Sequence, residues 1–160
     1  MTNSAVFKYN QSLDVLQGKH APKDFALSFR LNAEAAAEGY KDAILAMGWF
    51  YLNGTGVPGD IQKAKEWYKK SARTGNASAM YSLGEIAYGE GDYTAAKKWF
   101  DRAKEKNHAG SRYMLGKMYW KGCGVSQDKK LARKLISEAA QEKYPLAGRV
   151  IRFISRRRKN

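Results

Sequence analysis

The feature that most constrains this chain is a stretch that it uses twice. Met47-Gly48-Trp49-Phe50-Tyr51-Leu52-Asn53-Gly54-Thr55-Gly56-Val57 returns as Leu115-Gly116-Lys117-Met118-Tyr119-Trp120-Lys121-Gly122-Cys123-Gly124-Val125, and an aspartate, Asp60 or Asp128, follows three residues after each. A shorter copy starts at Leu83-Gly84. Repetition over a few tens of residues marks small units that cannot each bury their own apolar face and so stack on one another. Aspartates at 24, 60, 92 and 128 keep the period, with spacings of 36, 32 and 36 residues, and each stands at the start of an amphipathic stretch.

Those aspartates read as helix N-caps. A carboxylate there accepts a hydrogen bond from an orphan N–H of the first turn and faces the positive end of the helix dipole, worth on the order of 1 kcal/mol per cap. The stretches they open end in small residues before a terminator: Ala35-Ala36 before Gly39, Ser71-Ala72 before Gly75, Ala103 before Asn107, and Ala139-Ala140 before Lys143. Apolar residues recur at helical and not at alternating spacing. The expectation is an all-α chain of helix-turn-helix units at about 5–40, 41–76, 77–108 and 109–144. First helices are predicted over 5–17, 42–53, 77–89 and 109–121, and second helices over 24–38, 61–74, 93–106 and 129–142. A basic helix over 146–158, with Val150, Ile151, Phe153 and Ile154 on one face, is expected to cap the last unit, which would otherwise expose its stacking face.

Composition bounds the rest. At 160 residues and 44% apolar content the chain has the size of one ordinary domain, taken as 1–160. Its single cysteine, Cys123, can form no internal bridge, which fits a reducing compartment. Neither an export signal at Met1–Lys8 nor a membrane-spanning run is read, so the expected location is cytoplasmic. The formal charge is +14. Acidic and basic side chains nearly balance over 1–90, so the excess falls in 91–160, and 143–160 carries Lys143, Arg149, Arg152, Arg156, Arg157, Arg158 and Lys159 with no acid among them. Such asymmetry points to an acidic partner.

The pattern from Ala43 to Tyr68, with Met47-Gly48, Tyr51, Gly54, Gly56-Val57, Asp60, Lys63-Ala64 and Trp67-Tyr68, resembles a Sel-one-like repeat. Residues 111–135 match it at Gly116, Tyr119, Gly122, Gly124, Val125, Asp128 and Ala132, with Leu135 in place of the tryptophan. The middle copy lacks the turn insertion and is similar to a plain tetratricopeptide unit, with Gly84, Ala96, Phe100 and Ala103 in place. The first copy departs furthest, with Ser12 where the others have glycine. The resemblance implies a right-handed α/α superhelix, a solenoid of about four repeats plus the C-terminal capping helix. It also implies a protein-binding adaptor or scaffold, bacterial in origin, with toxin neutralisation by an immunity protein among the roles.

In such a solenoid the first helices line the concave side. The expected groove is Tyr9, Leu13 and Leu16, then Leu45, Trp49 and Leu52, then Tyr81, Glu85 and Tyr88, then Tyr113, Lys117, Trp120 and Lys121. Tyrosine and tryptophan suit binding because they offer large area, few rotatable bonds and a polar tip. Packing against neighbouring repeats is the alternative reading of the same aromatics, and for Tyr51, Trp67, Trp99 and Tyr119 core packing is the favoured one. The partner expected is another protein, with an acidic surface or an extended or helical segment. The basic tail, Arg149, Arg152, Arg156, Arg157, Arg158 and Lys159, reads as an anchor for an acidic protein, as a nucleic-acid arm, or as cations answering a helix dipole. A nucleic-acid-associated protein working through the basic half is therefore the competing class, although no recognised nucleic-acid module is visible.

Catalysis is not expected. His20 and His108 sit at turns and Cys123 lies between two glycines, with no zinc-ligand spacing and no base oriented by a third group. Gly54-Thr55-Gly56 and Gly122-Cys123-Gly124 follow no strand and lack a Gly-Lys-Ser/Thr ending, so they read as turns with positive φ and not as phosphate loops. No metal or cofactor is predicted.

Overall fold

The computed structural model describes residues 3–156, with side chains through residue 151. Among these residues the chain forms helices only: α1 Asn3–Gln17, α2 Phe25–Ala37, α3 Lys41–Asn53, α4 Ile61–Arg73, α5 Ala77–Gly89, α6 Tyr93–Glu105, α7 Ala109–Lys121, α8 Lys129–Gln141 and α9 Pro145–Arg156. They fall into two compact units, Met1–Thr74 with α1–α4 and Gly75–Asn160 with α5–α9. Within each unit, successive helices pair as first and second members of a repeat.

The predicted caps are all present. Asp24 accepts from Leu27 N–H, Asp60 from Gln62 and Lys63, Asp92 from Ala95, and Asp128 from Lys130 and Leu131, at 2.8 to 3.0 Å. At Asp60 the two backbone donors and Lys63 hold the carboxyl below its ordinary pKa. The four second helices also end alike: Gly39, Gly75, Asn107 and Lys143 share the left-handed conformation, with φ of 85°, 87°, 60° and 62°. Two of these are glycines, as the turn prefers, whereas Asn107 and Lys143 carry a Cβ in a region that costs about 1–2 kcal/mol.

One contact recurs inside the pairs. A Cβ at Gly48 would lie 2.5 Å from the Tyr68 ring, one at Gly84 2.5 Å from Phe100, and one at Gly116 2.6 Å from Ile136. Glycine is thus required where the second helix seats its largest buried side chain against the first. In the α1–α2 pair those positions hold Ser12 and Asn32, and the pair is polar instead. Ser12 Oγ donates to the Ser28 carbonyl at 2.8 Å, Ser28 Oγ donates to the Ser12 carbonyl at 2.9 Å, and Asn32 donates to the Ala43 carbonyl at 3.1 Å. All three side chains are buried.

The apolar cores surround these contacts. In the first unit Ala35, Ala36, Ala43, Ile44 and Met47 cluster beneath Phe29, Tyr51 and Trp67. In the second, Phe100, Met114, Leu115, Met118 and Leu135 cluster with Tyr119 against them, and Ile136, Ala139 and Ala147 form a satellite that Val150 and Ile151 of α9 cover. Core packing thus holds for Tyr51, Trp67 and Tyr119. Trp99 is half-buried like Trp67, and each ring carries a cation from three residues on, Arg102 at 4.6 Å and Lys70 at 4.8 Å. Phe153 and Ile154, expected on the same face of α9, have side chains outside the described residues.

The two inserted turns have a steric role. Gly56 is at φ 69°, and a Cβ there would stand 1.9 Å from the Phe25 carbonyl oxygen at the start of α2; at Gly124, φ 67°, it would meet Tyr93 Cβ at 2.5 Å at the start of α6. Each turn therefore lies directly on the preceding second helix, an approach that only glycine permits.

Two stability predictions follow from this packing. Gly84→Ala should lower unfolding free energy by about 1–3 kcal/mol in urea titration, because overpacking Phe100 outweighs the roughly 1 kcal/mol gain in helix propensity. Lys143→Gly should raise it by about 0.5–1 kcal/mol, the relieved left-handed strain less the added chain entropy.

Candidate functional site

The positions one and four residues after the close-approach glycine form most of the predicted groove set. In the first unit these are Trp49 and Leu52 on α3, 41% and 40% exposed. Trp49 rests edge-on against Phe50 at 5.4 Å, and Asn53 donates to its carbonyl. Leu45, one turn earlier, is half-buried, as are Leu13 and Leu16 on α1. Tyr9 is half-buried against Tyr40, with ring centres 5.0 Å apart, and burial followed by the nearby Asp42 raises its phenol pKa.

In the second unit the structure brings Tyr81, Tyr113 and Tyr144 together. The Tyr81 hydroxyl donates to Glu85 Oε1 at 2.7 Å and lies 3.4 Å from the Tyr144 hydroxyl, while Tyr113 packs on Tyr144 at 5.3 Å. Burial first, then Tyr144 and Glu85, push the Tyr81 phenol far above its ordinary value, so Tyr81 is a fixed donor. Toward the other end of α5 and α7, Lys117 Nζ stands 5.1 Å from the Tyr88 ring centre and Arg133 5.7 Å from that of Trp120, with Lys121 exposed beyond. Burial and the neighbouring Cys123 raise the Tyr88 phenol. The predicted set in this unit thus divides into a tyrosine end and a cationic end.

Two members of the cluster were not foreseen. Tyr144 occupies the register position of Tyr40, Asn76 and His108, just before a first helix, so the repeat alignment held the signal. His108 caps α7 as Asn76 caps α5: its Nδ1 accepts from Ser111 N–H at 3.2 Å, and its ring lies 4.6 Å from Tyr81. Accepting through Nδ1 requires the neutral ring. Burial and then Arg112 keep the imidazole pKa below the ordinary value, against the pull of Glu142. Arg112 itself donates to Glu142 at 2.9 Å and to Asn107 at 3.0 Å.

Of the basic tail, Arg149 is exposed on α9. Arg152 and Arg156 have side chains outside the described residues, and Arg157, Arg158 and Lys159 lie outside them altogether. The first unit also has a cleft of about 680 Å³ at the α1–α2 end, lined by Phe7, Val15, His20, Pro22, Leu27 and Leu31 among others. Phe7 there holds the position that Ala43, Ala79, Ser111 and Ala147 fill in later copies, where each is buried. Among the described residues no three His, Cys, Asp or Glu side chains converge as metal ligands, and no helix is long and apolar enough to cross a membrane.

The model of the Sel1 repeat matches residues 41–76, 77–108 and 109–144. The chain belongs to the Sel1 repeat family. Solved structures agree. A protective antigen of uropathogenic Escherichia coli with the SLR fold is 32% identical over 89% of this chain, with a TM-score of 0.81, and a Sel1 repeat protein from Oxalobacter formigenes is 27% identical over 93%, at 0.85. This chain spans 32% of the first protein's length and 62% of the second's. An immunity protein from Pseudomonas aeruginosa, 21% identical over 92% of this chain and 56% of its own, shares the fold at a TM-score of 0.68. The helical-repeat solenoid is therefore the fold of this protein. Sel1 repeats generally mediate protein–protein interaction and are typically non-catalytic.

The histidine cap generates a pH prediction. A depressed folded pKa means that the stability from neutral His108 is complete above the unfolded value near 6.5 and is lost as pH falls through the folded one. Urea unfolding between pH 7.5 and 5 should show wild type losing more stability than His108→Asn, in which an amide oxygen accepts the same bond at every pH.

Proposed function

We propose that residues 1–160 act as one repeat domain that binds another protein through the outward faces of its first helices, as an adaptor or scaffold with no reaction of its own. The observation that supports this most is the pair Trp49 and Leu52, large apolar side chains exposed on one side of α3 while Met47, Gly48 and Phe50 beside them are buried. An indole on a rigid helix is the kind of anchor that dominates binding energy once a partner excludes water from it. The half-buried Tyr81, Tyr88, Tyr113 and Trp120 extend the same register in the second unit, and Lys117 and Lys121 favour a partner segment that carries carboxylates. Within either unit, an extended strand or a single helix is the kind of partner segment that such anchors take.

A narrower version is a stoichiometric inhibitor, an immunity protein that occludes a toxin. The Pseudomonas aeruginosa immunity protein is similar in fold only, so this version rests on the logic of blockade: a rigid repeat face needs no chemistry to cover an active site.

Trp49→Ala and Trp120→Ala test the reading. Partners captured from source-cell lysate by the wild-type protein, once identified and purified, should bind each variant at least tenfold more weakly by calorimetry, about 1.4 kcal/mol, with thermal melts within a few degrees of wild type. Unchanged affinity in both variants removes the first-helix face as the binding site. Loss of the partner's own activity in a one-to-one mixture selects the inhibitor over the adaptor.

A further inference from the structure

We infer that the second helices of the second unit, α6 and α8, form a separate surface that lies along the phosphates of duplex nucleic acid. On α6 and its C-cap, Lys98, Arg102 and Lys106 stand four residues apart, about 6 Å per step along the axis. On α8, Lys130, Arg133 and Lys134 do the same work, with Lys134 in the register position that Lys98 holds one repeat earlier. All six are exposed, and none forms an ion pair among the described residues.

The neighbouring carboxylates do not cancel them. Asp92 and Asp128 are engaged as caps. Asp101 lies between Lys97 at 2.6 Å and Lys104 at 3.3 Å, and Glu138 and Glu142 face Arg112. Glu105 is the exposed carboxylate left on α6 and α8 among the described residues. Two of the cations are also held in place, Arg102 over Trp99 at 4.6 Å and Arg133 over Trp120 at 5.7 Å. A guanidinium held over an indole loses less entropy when it binds an oxyanion.

Charge alone would suit any polyanion; the rest of the surface narrows the choice. Protein interfaces are built around apolar anchors and are poor in lysine at their centres. Among the described residues the large apolar side chains that stand exposed are Phe7, Phe25, Trp49, Leu52, Ile61 and Leu146, and none lies on α6 or α8. A lysine-rich face without an anchor is suited to phosphate rows, where counterion release supplies the affinity. Single strands are bound by stacking bases on open aromatic rings. On this face the one indole, Trp99, already carries Arg102 of the same chain, which favours the duplex. The inference concerns other helices than the first-helix face, with Trp120 beneath Arg133 the one residue in common, and a partner of different chemistry.

Fluorescence anisotropy of a 30-base-pair mixed-sequence DNA duplex with the full chain tests it. Affinity should fall by about 10³ between 50 and 200 mM salt, as for roughly six phosphate contacts. The triple variant Lys98→Gln, Arg102→Gln, Lys106→Gln, with circular dichroism matching wild type, should flatten the log–log salt slope by about 2.7. Trp49→Ala should leave both the affinity and the slope unchanged. Four results each overturn the inference: no binding at 50 mM salt, a slope unaltered in the triple variant, single-stranded DNA of the same length bound as tightly as the duplex, or tighter binding to phosphatidylserine vesicles or polyglutamate.

Discussion

The distance of closest approach between the two helices of a repeat governs this structure. At Gly48, Gly84 and Gly116 the first helix presents bare backbone, and Tyr68, Phe100 and Ile136 fill the space where a Cβ would be. A contact this close leaves little freedom in how the pair crosses, so the azimuth of the whole first helix is set by one residue. Trp49, Leu52 and Glu85 stand exposed at the positions one and four after the glycine, while Tyr88 and Trp120 in the same slots are half-buried beside Tyr93 and Arg133 of the second helices. The first pair reaches the same end by another route, with Ser12 and Ser28 exchanging hydrogen bonds and Asn32 donating to the Ala43 carbonyl of α3 where the others use glycine, alanine and a large apolar side chain. That substitution trades dispersion contacts for hydrogen bonds: the Ser12 and Ser28 hydroxyls are paired, whereas Asn32 is paired through its amide N–H and its buried Oδ1 has no partner among the described residues.

Around that constraint the repeat keeps its ends in order by local chemistry. An aspartate opens every second helix and a left-handed residue closes it, so the chain reverses at fixed points whatever the surface residues are. The surface is thereby free to vary at constant register. Positions 45, 81, 113 and 149 hold Leu, Tyr, Tyr and Arg; positions 49, 85 and 117 hold Trp, Glu and Lys. The first unit thus presents bare apolar anchors and the second presents tyrosines and cations from the same geometric slots. One scaffold carries two kinds of surface, which is how a fold shared across a family serves different partners.

Much of this was legible in the residues. The aspartate spacing marks the second helices, and the described helix ends fall within one or two residues of the predicted ones, because capping and termination are decided by atoms within a turn of each other. The first copy was legible only by its Asp24 cap and its spacing, since Ser12 and Asn32 hide the motif that the later copies display. Trp99 keeps the register of Trp67: both rings are half-buried, and each carries a cation from three residues on, Arg102 or Lys70.

By itself, then, the sequence determined what depends on near neighbours along the chain: helix, cap, turn, and the face on which each residue stands. Tertiary structure decided which of those faces are open. Tyr144 joining Tyr81 and Tyr113, Arg133 over Trp120, and Arg112 beside His108 with Glu142 are meetings between residues on different helices. They follow from side-chain rotamers and helix azimuths, and these are settled only when Gly84 and Gly116 close on Phe100 and Ile136. A pattern in one dimension records which residues share a face; it holds no record of what stands across from that face.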